Sequence, residues 1–302
     1  MSNLPSVINL GELSKPATVL IEKISDAIGG IFEPWQIRRV SEAEADAQKN
    51  AALAQIQITD MHRRAVRRWI QEEAKKQDNI ESITKKALPD VGEQARPQDV
   101  EDDWITNFFD KCQLISDQEM QALWAKVLAD QANTPGKYSK RTVNLLASLD
   151  KSDAELFTRL CSFAWIMGAL VPLVYGMRHE VYAKAGISFP SLVHLETIGL
   201  IRIGALTGYS MNDLPQKLVV SYYGQAALLE FEKPEENDLH IGQVMLSKAG
   251  EELARICGSK PNPEFKDYVI KMWRGMGIKV TEDIGAKDVS ATLPSPPDKA
   301  GD

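Results

Sequence analysis

The sequence predicts a mainly α-helical protein: an N-terminal helical arm and a helical domain, followed by a small α+β, winged-helix-like C-terminal domain. Three observations carry this. Between Trp104 and Leu160, helix-start signals are followed by apolar residues at helical spacing. Upstream, a long stretch rich in Ala, Glu, Gln, Lys and Arg lacks a clear breaker. After Pro172, β-branched and aromatic runs take over.

Taken in order, residues 1–16 read as a flexible lead-in and 17–88 as the arm. Ala17, Leu20, Ile21, Ile24, Ile28 and Ile31 follow one helical face, weakened by Gly29 and Gly30 and ended or kinked at Pro34. Ser41 and Glu44 make a capping box for a second helical run that continues to about Leu88. Residues 89–103, with Pro89, Gly92 and Pro97, read as a polar linker.

A central helical domain is expected over 104–175. Trp104, Phe108 and Phe109 give a one-sided aromatic helix. Ser116 with Glu119 opens the next, whose face is Met120, Leu123, Trp124, Val127 and Leu128. Residues 134–137 turn the chain, Ser139 caps a third helix, and Ser152 with Glu155 starts a fourth. The apolar run Cys161 to Gly176 reads as a buried helix ending near Pro172; it is shorter than the roughly 20 residues a membrane span needs.

The winged-helix-like domain is placed at 176–280. Residues 188–201 read as a helix running into a short strand, 217–224 and 225–231 as strands turned at Gly224, and 240–246 as another strand. Ser247 caps a helix stopped at Gly258, and 264–279 add a last helix or strand. From Thr281 to residue 302 the polar, Pro-rich tail is expected to be disordered.

The bulk numbers bound the class of function. The 302 residues are 44% apolar and 25% charged, ordinary for a globular protein with material for two modest domains or one large one. A net charge of −7 gives no global attraction to nucleic acid or anionic membrane, so such binding needs a local patch. The N-terminus shows no basic region followed by an apolar core, so a cytoplasmic protein is expected. Cys112, Cys161 and Cys257 lie far apart, cannot make a complete paired set, and read as small buried hydrophobes in a reducing compartment.

Motifs for chemistry are sparse. His62, His179, His194 and His240 have no zinc-ligand spacing, and no phosphate loop, dinucleotide fingerprint or nucleophile elbow occurs. Adjacent carboxylates at Glu101–Asp103 and Glu235–Glu236 read as solvated surface, since neighbours on a helix do not converge. No cofactor, metal or small-molecule substrate is expected. The one charged feature above background is Arg63, Arg64, Arg67 and Arg68, two pairs one helical turn apart beside Trp69. Their guanidinium forks suit phosphate oxygens. Alternatively they pair with Asp60, Glu72 and Glu73 on the same helix or with acidic residues of another helix, or they contact a partner protein.

Two further surfaces are weighed. In a winged helix, Ser191 to Thr197 would be the recognition helix, yet it carries no Arg or Lys; only His194 could read a base edge, with Arg202 and Lys217 as backbone contacts. The stripe from Leu20 to Ile31, with Phe32 and Trp35, could lie in a membrane interface, but its polar face lacks a basic excess.

The segments 15–30, 75–83, 103–109, 116–129, 135–146 and 194–201 together resemble a bacterial family known only as domain-of-unknown-function 2806. The blocks SDQEMQALWAKVLA and PGKYSKRT are the most specific, and Lys76 departs from an expected Arg. The resemblance implies no established activity and brings no catalytic residues. A looser likeness links the chain to abortive-infection (phage-resistance) proteins. The expectation is therefore a non-enzymatic interaction or regulatory protein, with phage defence as a suggested process. Its contacts come from the arginine-bearing arm, through a partner protein or self-association. Nucleic-acid binding and a membrane-surface role are the alternatives.

Overall fold

In the computed structural model, residues 13–29, 60–204, 208–282 and 284 are described. Contacts divide the chain into two compact units, Met1–Ser148 and Leu149–Asp302. Helices fill the first, and the second contains the sheet.

The first unit begins with α1 (Lys15–Ile28). Ser14 caps it by accepting a hydrogen bond from the Ala17 amide, and Gly29 ends it in a left-handed conformation (φ 80°). The expected stripe is buried at Ala17, Leu20, Ile21 and Ile24, with Ala17 and Ile21 packed beside Leu88. The second helix, α2 (Asp60–Ala87), carries the end of the expected long run; the Ser41–Glu44 box, Ile31, Phe32, Pro34 and Trp35 lie outside the described residues.

Residues 89–103 are not a free linker. Val91, Pro97 and Val100 are buried, and Asn133 at the end of α4 (Gln118–Asn133) binds both the Asp90 carbonyl and the Gly92 amide. In α3 (Asp102–Cys112) the aromatic face forms the heart of the core: Phe108 stacks on Trp104 at 5.0 Å and meets Trp124 edge-on at 5.1 Å. The Trp104 indole donates to the Tyr138 carbonyl at 2.8 Å, so the ring is buried without an orphaned N–H. Ser139 caps α5 (Lys140–Ala147) as its position suggests. For α4 the cap is Asp117 rather than Ser116; its carboxylate accepts from two amides, Glu119 and Met120, where a hydroxyl one residue earlier would miss them.

The second unit opens with α6 (Lys151–Cys161). Here Asp150 and Asp153 form the capping box that was expected from Ser152 and Glu155. The run after Cys161 is not a helix but a hairpin, β1 (Ala164–Met167) and β2 (Ala169–Pro172), turned at Gly168 with φ 76°. A continuously apolar segment has no period to distinguish helix from strand, and the left-handed glycine decides it. Pro172 sits at the end of an edge strand, where its missing N–H costs no ladder bond.

After α7 (Glu180–Ala183), α8 (Phe189–Thr197) leads into β3 (Ile201–Ile203) as expected. Next come β4 (Tyr209–Leu214), β5 (Lys217–Tyr222) and β6 (Gln225–Glu230). β5 and β6 are joined by Tyr223 (φ 48°) and Gly224 (φ 82°), a two-residue turn whose positive dihedrals match the twist of its strands. The strand expected at 240–246 is two, β7 (Asn237–Gly242) and β8 (Val244–Leu246), broken at Gln243.

Ser247 caps α9 (Lys248–Ala254), and α10 (Pro263–Gly275) precedes β9 (Lys279–Glu282). The last strand corrects the expected tail boundary: Thr281 and Glu282 pair with Leu228 and Ala227. Residues 285–302 lie outside the described part. The main sheet is antiparallel in the order β2-β1-β5-β6-β9, with β3–β8 and β4–β7 as separate two-stranded ladders. Trp165 on β1 stacks on Tyr222 at 5.0 Å and meets Trp273 of α10 at 4.8 Å, fixing that helix to the sheet.

Candidate functional site

Helix α2 changes environment along its length. Its C-terminal part is held in the first unit by Ile80, Ile83, Thr84 and Ala87, all buried. A polar network fixes its register. Asn79 donates to the Gln113 carbonyl (2.8 Å) and accepts from the Gln121 side-chain amide (3.2 Å). The Gln121 carbonyl oxygen accepts from Ser82 (2.7 Å) and Lys86 (2.8 Å). Partial burial pushes the Lys86 ammonium below its ordinary range.

From Asp60 to Lys75, by contrast, every residue except Ile70 is exposed. Trp69 shows 62% and Met61 63% of their surface. An α-helix repeats its facing after about 18 residues, or five turns. Ala65 and Trp69 therefore continue the line of Ile83 and Ala87 past the end of the packed region. That line is interrupted by the exposed Glu72 and Glu73 and by the Lys76–Glu73 ion pair (2.6 Å).

Arg63 and Arg67 fall on the other side of α2, Arg64 and Arg68 border the Met61 edge of the apolar line, and all four are exposed. Arg64 pairs with Asp60 at 3.0 Å and Arg68 with Glu72 at 3.5 Å, both one turn away on the same helix. Among the described residues, Arg63 and Arg67 have no recorded ion pair. The expected self-pairing thus accounts for two of the four guanidiniums and leaves one ridge, Arg63–Arg67, open.

In the second unit, the exposed His194 on α8 is engaged by a neighbouring carboxylate. Its Nε2 lies 2.7 Å from Asp153 Oδ1, while Asp153 Oδ2 accepts from the Asp150 amide. Glu196, on the same helix, accepts from the Ile203 amide at 2.7 Å. The exposed side of α8 thus carries acidic and apolar side chains, and two of its polar groups are used locally.

Sequence reasoning missed one pairing. Cys161 and Cys257, treated as unrelated buried hydrophobes, belong to one cluster, in which Thr158 bonds the Cys257 carbonyl and Tyr223 spans from the Cys161 carbonyl to Ser259. No local spacing signals such a contact, which is made by tertiary folding. Cys112 is buried separately in the first unit. Among the described residues no group of three or more His, Cys, Asp or Glu is placed to hold a metal ion. None of the described helices is long and apolar enough to cross a membrane.

These features define a chain of two compact units, one helical and one α+β, with an exposed basic helix leading into the first. A family model for a protein of unknown function (DUF2806) matches residues 63–270, and the chain belongs to that family. No curated protein and no solved structure matches it. The likeness to abortive-infection proteins finds no counterpart in these comparisons.

Proposed function

We propose that this is a non-enzymatic intracellular interaction or regulatory protein, and that the exposed N-terminal part of α2 is its contact surface for a partner protein. One observation carries the reading: Met61, Ala65, Val66 and Trp69 share a side of a helix whose continuation is buried core. A single exposed apolar residue is ordinary, but several on one helix side, with a tryptophan among them, mark a surface used in recognition. The Arg63–Arg67 ridge on the other side suits carboxylates of the same partner.

A nucleic-acid-binding regulator is the second reading, favoured by the exposure of Arg63 and Arg67, which form no ion pair among the described residues. The order α6, α7, α8, β3, β8 supports a winged-helix-like arrangement with a long insertion between its last two strands. Its α8 offers no Arg or Lys, which weighs toward packing or protein contact rather than base reading. A membrane-surface role would require α1 to give up the buried packing of Ile21 and Ile24. Phage defence, suggested by resemblance alone, is tested by plaquing on cells with and without the protein.

The discriminating experiment is affinity capture on the tagged full chain, with half of the lysate nuclease-treated, and a salt titration of whatever binds. A stoichiometric protein complex that survives nuclease supports the first reading; a second copy of the chain would show as a concentration-dependent mass. Binding lost with nuclease, falling steeply with salt and abolished by Arg63→Glu with Arg67→Glu, replaces it with the second.

A further inference from the structure

The surroundings of Cys161 and Cys257 amount to a built thiol site. Cys161 ends α6 and is fully buried, whereas Cys257, in the loop after α9, is partly exposed. Three polar side chains tie the two segments together. Thr158 donates to the Cys257 carbonyl at 3.2 Å. Tyr223, at the β5–β6 turn, reaches the Cys161 carbonyl at 3.3 Å and donates to the Ser259 hydroxyl at 2.6 Å.

The two cysteines share this frame, and each thiol acts on the ionisation of the other. The protonated Cys257 thiol can give its hydrogen to the Ala254 carbonyl, 3.2 Å away. Once ionised, the same sulfur is faced by the Cys161 thiol, the Ser259 amide and hydroxyl, and the Thr158 hydroxyl. Hydrogen bonds to the charged form favour it, and the Cys161 thiol contributes most; they hold the Cys257 thiol down to about 6. Burial acts on its neighbour in the opposite sense, pushing Cys161 well up. The surroundings thus favour the charged form of Cys257 and the protonated form of Cys161.

We infer that Cys161 and Cys257 form a reversible oxidation site, in which a peroxide converts the two thiols of this shared frame to a disulfide that clamps the end of α6 to the loop after α9. The partly exposed sulfur of Cys257 attacks a peroxide oxygen; an S–O bond forms and the O–O bond breaks. The departing oxygen takes a proton and leaves as water, so Cys257 becomes a sulfenic acid. Cys161 then attacks the Cys257 sulfur, its thiol proton leaving with the displaced hydroxide as a second water. Two thiols have lost two electrons and hydrogen peroxide has gained them. A small thiol reductant restores the pair by exchange. Cys112, buried without such a frame, stays outside the reaction.

The test treats the folded full chain with one equivalent of hydrogen peroxide at pH 7, blocks remaining thiols with an alkylating agent, and maps the peptides without reduction. The expected product is a peptide pair joined through Cys161 and Cys257, lost on treatment with dithiothreitol, with Cys112 not oxidised. In Cys161→Ser the reaction should stop at a sulfenic acid on Cys257 that a dimedone probe captures. Two outcomes in the unsubstituted chain overturn the inference. One is both cysteines remaining unoxidised; the other is Cys257 oxidised with no link to Cys161. Because the decisive readout needs no variant, misfolding of a substituted chain cannot obscure it.

Discussion

Asp153 shows how much a single side chain does here. One carboxylate oxygen closes the capping box of α6 at the Asp150 amide, and the other holds His194 of α8 at 2.7 Å. Asp153→Ala removes both contacts and is expected to cost about 2 kcal/mol, read from the urea midpoint. Gly250 argues in the opposite direction from propensity. Glycine to alanine within a helix ordinarily gains up to about 1 kcal/mol. At Gly250, however, the added Cβ would overlap the Leu200 carbonyl oxygen, so Gly250→Ala is expected to lower the melting temperature. A rise would show that the Leu200 carbonyl does not approach α9 this closely. The Cys257 thiol, lowered to about 6, should react with iodoacetamide at a rate that rises through that pH rather than near 9. At this scale the sequence was partly legible. Ser139 and Ser247 cap as their positions suggest, but Asp117 and Asp150 displaced Ser116 and Ser152. Either residue type can cap; the choice depends on the register that buries the apolar stripe.

Helix α2 is the element on which function turns. Its buried part behaves as core: Gln121→Leu would strand the polar atoms of Asn79 and Ser82 at the α2–α4 contact and is expected to cost about 1–3 kcal/mol. The exposed part should be energetically silent within the isolated chain. Trp69→Ala, and the double reversal Arg63→Glu with Arg67→Glu, are each expected to shift stability by no more than about 0.5 kcal/mol. The same substitutions should weaken partner binding, since apolar and cationic groups exposed in the free chain become covered in the complex. The arginine positions and helical character of α2 were readable because a helix reports its period locally. The hairpin β1–β2 was not, because an unbroken apolar run looks the same in either state and Gly168 settles the outcome through its backbone.

At the scale of the whole molecule, the family match runs from Arg63 to Ile270 and so takes in the arginines, most of the described part of both units and the cysteine pair. Composition allowed two modest domains or one large one; contacts divide the chain into two compact units, each with enough chain for its own core. Residues 1–148 and 149–302, expressed separately, should each unfold cooperatively in urea; a broad, non-cooperative loss of signal would contradict that division. The helical beginning and sheet-bearing end were legible because patterning switches along the chain. The meeting of Cys161 and Cys257 was not, since it is a property of the folded C-terminal unit. The most direct measurement of the central claim is quantitative capture from nuclease-treated lysate, comparing the unsubstituted chain with Trp69→Ala at equal melting temperature. A protein partner retained by the former and lost by the variant is the expected result. An undiminished yield with Trp69→Ala would contradict the claim that this side of α2 is the contact surface.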